Sequence, residues 1–339
     1  MTPQTSEESA KPETAAPLGE REGWSKLVRA PAWAVSIAVA VVVVVLAALF
    51  DFWATTFVVG ATENAPLVLA AFGFALLYRL TGLLNVAYAE TITLGAYFAV
   101  WMNNSWGLGF YVVLLPAGLL AGVLSVVTYL AIFRFAKGRR VGNLEMIVIS
   151  FGLSIFLQHG LQFVFGYRRR AFDIPPPDTI EVFGVGVSSF RLLALASVAA
   201  LTTIVYQFIQ RTSHGLQIRA LASNEGLAQA SGVRPLRVTI LIWFVAGLCG
   251  GLAGVFYGAG ASVESFLGID ELLLILLVVL VGGIWGLLGV VVVGMATGVA
   301  LTGITLEYGN SLYAELVLVV VFLGVLKFRG RRLTDASKV

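Results

Sequence analysis

The chain has 339 residues, of which 58% are hydrophobic and 12% charged, with a mean hydropathy of +0.91 and a net charge of +3. That balance excludes an ordinary soluble globular domain. The apolar runs also lack the roughly ten-residue alternating segments of a membrane β-barrel. A single Cys249 excludes an internal disulfide framework, and no His or Cys pair has metal-ligand spacing.

Residues 1–30 are polar and rich in Glu, Pro, Thr and Ala. No short basic stretch leads into a cleavable apolar core, so this is not a signal peptide but an expected disordered cytosolic tail. Trp24, Lys26 and Arg29 mark where it would meet the membrane surface.

The composition predicts an all-α polytopic membrane protein with a membrane domain over 31–328 and a basic cytosolic tail at 329–339. Ten apolar segments are expected, at 32–57, 64–83, 86–102, 108–133, 144–165, 190–209, 236–258, 270–284, 287–305 and 311–327. The third, eighth and ninth are short or glycine-broken, which leaves room for re-entrant helices.

Glu90 lies inside the third segment, in the run Gly82-Leu83-Leu84-Asn85-Val86-Ala87-Tyr88-Ala89-Glu90-Thr91-Ile92-Thr93-Leu94-Gly95-Ala96-Tyr97. A charge at membrane depth is costly unless it faces protein, water or a partner. Asn85, Tyr88, Glu90 and Thr91 therefore read either as a lining of a translocation path or as a polar clamp between helices.

Lys and Arg placement sets orientation. With the N-terminus inside, 17 of the 22 basic residues fall in cytoplasmic tails and loops, four of them at 134–140 and four at 211–237. This predicts both termini inside and an even number of spans. Ten spans divide into two halves of five entering from opposite sides, which allows an inverted repeat. The loop at 166–189 is then external. Its Pro175-Pro176-Pro177 run is a rigid connector or a docking surface.

Gly247, Gly250, Gly251, Gly254 and Gly258 are spaced for close helix packing along one side of the seventh segment. Gly282, Gly283 and Trp285 belong to a Gly-rich break around 281–289. Such a break reads either as unwound backbone beside a pathway or as a tight helical turn.

Residues 210–235 form a long cytoplasmic loop. Ser223 or Asn224 can cap a short helix there, Gly232 ends it and Pro235 prevents its renewal. A short amphipathic helix of this kind can seat in a partner's groove or merely connect two spans. No Gly-Lys dipeptide occurs, so the chain carries no Walker A loop.

Three stretches carry a resemblance to a known family: Gly82–Tyr97, Ile149–Gln158 and Gly215–Gly232. Over roughly residues 55–330 the chain resembles the LivH-type permease subunit of ABC importers for branched-chain and other hydrophobic amino acids. The resemblance implies inward transport of a Leu, Ile or Val class solute across a bacterial cytoplasmic membrane. It also implies a second, similar permease, two ATPase subunits that hold ATP and Mg, and an external solute-binding protein. It implies no cofactor in this chain and no nucleic acid.

By the same resemblance, Arg219, Ala220, Asn224, Glu225, Gly226, Ala230 and Gly232 form the segment that contacts the ATPase. The chain departs from the family at Tyr88-Ala89, where His-Gly is usual, which opens urea, amides or small organic acids as alternative solutes. A rival class is an ion-coupled secondary transporter with Glu90 as its ion site. A membrane enzyme is disfavoured, because the spans hold no paired carboxylates, His cluster or nucleophile–base set.

Overall fold

A computed structural model of the chain describes residues 53–139, 141–175, 177–283 and 286–329. The expected N-terminal tail, nearly all of the first apolar segment, the tail beyond Arg329, and Trp285 lie outside these residues.

The helices in chain order are α1 (Trp53–Glu63), α2 (Ala65–Thr81), α3 (Tyr88–Trp106), α4 (Phe110–Gly138), α5 (Asn143–Phe165), α6 (Ser189–Arg211), α7 (Ser213–Ser223), α8 (Glu225–Ala230), α9 (Pro235–Gly260), α10 (Leu267–Gly282), α11 (Leu287–Tyr308) and α12 (Ser311–Arg329). A hairpin of β1 (Thr179–Val182) and β2 (Val185–Ser188) precedes α6. Each expected apolar segment from the second onward coincides with a helix.

Five helices, α4, α5, α6, α9 and α11, are long and apolar enough to cross a membrane, and α1 with α2 makes a sixth if the bent pair is one span. The chain is thus a multi-pass helical membrane protein. Three others fall short: α12 counts only as a shorter apolar stretch, Ser311–Gly324, and α3 and α10 fall short for identifiable reasons. α3 is diluted by Glu90, Thr91, Thr93, Asn103 and Asn104. α10 has 16 residues, about 24 Å at 1.5 Å per residue, against a hydrocarbon core of about 30 Å.

Every residue of α2 from Ala65 to Leu77 is buried. A helix apolar on all sides belongs at the centre of a bundle. Pro66 opens it, and Gly82, in the left-handed region, closes it with its N–H on the Tyr78 carbonyl at 2.8 Å. α1 meets α2 at a 47° bend. Asn64 sits at the bend and ties it to α11, donating to the Gly298 carbonyl and to Thr302 Oγ1 at 3.2 Å each.

α9 is the second central helix, with 72% of its most apolar window buried against 33% for α5 and 28% for α6. α5 and α6 therefore lie at the periphery. The small residues of α9 form two faces, not the single expected one. A Cβ at Gly247 or Gly251 would strike α4, at Ser125 and Ala121, whereas one at Gly250 or Gly254 would strike α3, at Thr91 and the Ile92 carbonyl. Spacings of three and four mark adjacent stripes on a helix, so one glycine run serves two neighbours.

α4 contains a π-turn at Tyr129–Phe133. Trp243 of α9 packs there, its ring centroid 5.1 Å from Tyr129 and 5.0 Å from Phe133.

The connection expected to be external is a structured strap. Arg170 and Val263 exchange backbone hydrogen bonds of 3.0 and 2.6 Å. Asn103 Oδ1 accepts from the Asp173 N–H at 2.7 Å. Arg169 pairs with Glu264, and Arg191 with Glu63. The hairpin turn places Phe183 and Gly184 at φ 52° and 79°, the mirror-image turn that suits the strand twist. The hairpin was not among the expected elements, although Thr179-Ile180-Glu181-Val182 and Val185-Gly186-Val187-Ser188 both alternate along their four residues.

Candidate functional site

Glu90 sits in the first turn of α3 and is fully buried. Its Oε1 accepts a hydrogen bond of 2.8 Å from Ser154 Oγ of α5, and among the described residues no group reaches its Oε2.

Ser154 belongs to a stripe. Ser150, Ser154, Gln158 and Gln162 recur every fourth residue along α5 and, with Leu153 and Leu161, are its buried positions. Residues three or four apart share a helix face. The opposite surface is apolar and open: Leu144, Phe156 and Phe163 are 77%, 73% and 91% exposed. Past its first turn, and apart from the exposed His159, whose Nδ1 lies 2.9 Å from the Ile155 carbonyl, α5 is polar toward the protein and apolar outward, the arrangement a bilayer favours in a helix carrying polar groups.

Facing this stripe are α3 and the segments at its ends. Ser150 Oγ accepts from the Val86 N–H at 3.1 Å and donates to the Ile147 carbonyl at 2.8 Å. Gln158 Nε2 donates to the Ser265 carbonyl at 3.4 Å, and the Tyr97 hydroxyl lies 3.2 Å from Ser265 Oγ. Asn85, also buried, has an Oδ1 that no group among the described residues reaches. A polar seam thus runs along α3 and α5 from Asn85 and Ser150 to Tyr97 and Gln162.

The seam offers one carboxylate, hydroxyls and carboxamides. Among the described residues no second carboxylate stands beside Glu90 in the seam, and its hydroxyls and carboxamides are groups that hydrogen-bond. Among the described residues no group of three His, Cys, Asp or Glu is placed to hold a metal.

The other expected residues fall elsewhere. Tyr88 is turned away from the seam. Its hydroxyl donates to the Ala70 carbonyl at 2.9 Å and reaches the Ala246 carbonyl at 3.3 Å, while its ring meets Phe74 edge-on. It is a strut between α2, α3 and α9. Thr91 Oγ1 donates to the Tyr88 carbonyl at 2.7 Å and packs toward Gly250. Gly282 closes α10 against α11, where an added Cβ would lie 2.7 Å from the Gly289 carbonyl oxygen and Val290 Cα. Gly283 follows as the C-cap.

The residues of the 210–235 loop come together at a second locus. The Asn224 side chain caps α8, accepting from the Leu227 N–H at 2.9 Å. Glu225 forms a two-pronged ion pair with Lys137 at the end of α4, at 2.7 and 2.8 Å. Gly232, at φ 87°, ends the turn with its N–H on the Gln229 carbonyl at 2.9 Å. Arg219 donates to the Ile209 carbonyl at the end of α6. Ala220 is half-buried, whereas Gly226 and Ala230 are exposed beside the open Leu227.

A preceding helix, α7, was not expected. Thr212 caps it by accepting from the Gly215 N–H at 3.0 Å, a Thr-x-x-Gly signal readable in the sequence. The α5 stripe was equally readable as polar residues spaced four apart in an apolar run. The Tyr257 hydroxyl of α9 donates to Glu271 of α10 at 3.0 Å, a second partly buried acidic group.

The family model described as branched-chain amino acid transport system / permease component matches residues 56–326. The chain belongs to this family. Among curated relatives, the high-affinity branched-chain amino acid permease LivH of Salmonella typhimurium is 23% identical over 296 residues, covering 79% of this chain and 90% of the relative. The probable LivH of Methanocaldococcus jannaschii is 22% identical, covering 77% and 85%. LivM of Escherichia coli is 25% identical, covering 66% of this chain and 57% of LivM. A solved structure described as an inward-facing metal-chelate type ABC transporter is similar at a TM-score of 0.47 and 16% identity, covering 87% of this chain and 97% of that one.

Proposed function

We propose that this family member is one transmembrane subunit of an ABC importer that moves a small hydrophobic amino acid of the Leu, Ile or Val class inward. It pairs with a second, homologous permease, two ATPase subunits holding ATP and Mg, and an external solute-binding protein, in a bacterial cytoplasmic membrane. Ten crossings, both termini inside and two inverted halves of five are the topology that fits its charge distribution.

The observation that carries this reading is the joint between the loop helices and the spans. α8 is capped by its own Asn224 and held by Glu225 to the end of α4, while its outer face, with Leu227 68% exposed, is open. A short helix that is rigidly mounted and apolar outward suits docking into a groove of the ATPase. Closure of the ATPase dimer then pushes through α8 on α4 and through Arg219 on α6. The polar seam lines or braces the path: Glu90, Ser154 and Asn85 face the solute when α5 moves off α3, and Tyr88, Thr91, Gly282 and Gly283 hold the wall.

A second reading, transport of urea, amides or small organic acids, is favoured by the seam itself. Its hydroxyls and carboxamides match an amide at least as well as an aliphatic side chain.

Purification of the tagged chain from native membranes in mild detergent, with mass spectrometry of its companions, tests the assembly. Two ATPase polypeptides, or one in double stoichiometry, together with a second permease support the importer. The chain alone, or only a homo-oligomer, overturns it in favour of an ion-coupled transporter centred on Glu90. Uptake of labelled Leu competed by Ile, Val, urea and acetamide then separates the two solute classes.

A further inference from the structure

A cavity of about 530 Å³ lies apart from the seam. It lies where the C-terminal ends of α2 and α6 meet α7 and the start of α11. Its inner wall is apolar, from Leu76, Ile209, Ile218, Ile242 and Leu287, and these side chains are buried.

Its rim is basic and polar. Arg79 and Arg219 both line it, with Tyr206, Gln210 and Ser223, and no acidic residue does. Among the described residues neither guanidinium has a carboxylate within 4.0 Å. Arg219 spends one nitrogen on the Ile209 carbonyl, which leaves the rest of its fork for another acceptor. Arg79 lies beside Gly286, the N-cap of the 22-residue α11, and that cap position supplies no side-chain acceptor.

Two cations over an apolar pocket, with a long helix beginning at the same place, favour an anion carrying several acceptor oxygens. A phosphate ester meets that description, since guanidinium forks bind its oxygens in pairs. Basic pockets between membrane helices at the cytoplasmic surface hold lipid headgroups in this manner.

We propose that the Arg79–Arg219 cavity is a binding site for a phosphate-ester anion, with an anionic phospholipid as the occupant whose acyl chains match the apolar wall. Only its assignment to the inner leaflet rests on the proposed topology; the binding does not. Because Ser223 and Arg219 stand on α7, immediately before the Asn224 cap, an occupant of the cavity touches the segment that leads into α8. The lipid then tunes how firmly α7 seats against α6.

Native mass spectrometry of the purified complex tests this, with phosphatidylglycerol, phosphatidylcholine and soluble glycerol 3-phosphate as probes. The expected result is selective retention of phosphatidylglycerol by the wild type. Arg79→Gln should weaken retention about tenfold, the scale for one charged hydrogen-bonding group, and Arg79→Lys should restore part of it. Arg79 is exposed, so the exchange leaves the fold intact. Retention of glycerol 3-phosphate as tight as that of the lipid keeps the phosphate site but makes its occupant a soluble ester. Equal retention of both lipids, or no change in Arg79→Gln, overturns the proposal. These readouts do not need transport or the ATPase, so they fail independently of the importer reading.

Discussion

Lys137 Nζ lies 2.8 and 2.7 Å from the two carboxylate oxygens of Glu225, joining the end of α4 to the first residue of α8 across 88 positions of sequence. Both side chains are substantially exposed, 60% and 43%. An exposed pair contributes only about 0.2–1 kcal/mol, so stability is not its main use. It fixes where the loop helix stands relative to the spans. Lys137→Ala should leave membrane abundance and thermal stability nearly unchanged yet lower uptake per ATP hydrolysed several-fold. The reversed pair, Lys137→Glu with Glu225→Lys, should recover most of the coupling. Equal loss in the single and double variants would remove the ion pair from the mechanism.

Glu90 and Ser154 set the second prediction. Glu90→Gln keeps the shape and the hydrogen bond to Ser154 while removing the carboxylate. Uptake should fall at least tenfold with assembly close to wild type. Ser154→Ala instead deprives Glu90 of its one protein donor, a loss of about 1–3 kcal/mol for a buried group, and should lower thermal stability as well. A collapse in complex yield for Glu90→Gln would make Glu90 a structural clamp and place the path elsewhere.

The α9 seam predicts a steric hierarchy. A Cβ at Gly254 would collide with the backbone carbonyl of Ile92, which cannot rotate away, whereas the Cβ of Gly260 would meet open space. Overpacking costs about 1–3 kcal/mol, and more where backbone must move. Gly254→Ala should sharply reduce detergent-stable yield, and Gly254→Leu should abolish it. Gly260→Ala should behave as wild type in size-exclusion chromatography. If the two alanine variants purify alike, α9 and α3 are not in backbone contact.

The contrast between these sites shows what a single chain of letters reveals. Apolar run length placed nine helices, and the glycine spacing marked α9 as a packing helix, because both are local patterns. The Asn224 cap and the Gly232 stop were legible for the same reason. The partner of Glu90 was not, since Ser154 lies 64 residues away; the polar stripe of α5 marks its inward face but not the helix that face meets. For Tyr88 the local pattern left lining and clamp open; the room beside Gly73 and Gly250 takes its ring into the α2–α9 junction, where it clamps helices. One face of the glycine run became two because periodicity fixes angles on a helix, not how many neighbours there are.

Asn224 gives the most local test. Its side chain satisfies the Leu227 N–H, one of the donors every helix start leaves open, and its backbone at φ −155° and ψ 107° turns the chain between α7 and α8. A six-residue helix has little stability of its own, so loss of the cap, worth about 1 kcal/mol, should fray most of α8. Asn224→Ala should speed amide exchange at Leu227 and Ala228 and weaken coupling without affecting exchange in α9. Asn224→Asp and Asn224→Ser both retain an acceptor oxygen and should restore protection. Because Asp also adds charge next to Glu225, recovery of exchange but not of transport in Asn224→Asp would separate the order of α8 from the charge of the surface it presents. Fast exchange at Leu227 in the wild type would show that the cap does not hold α8 in place.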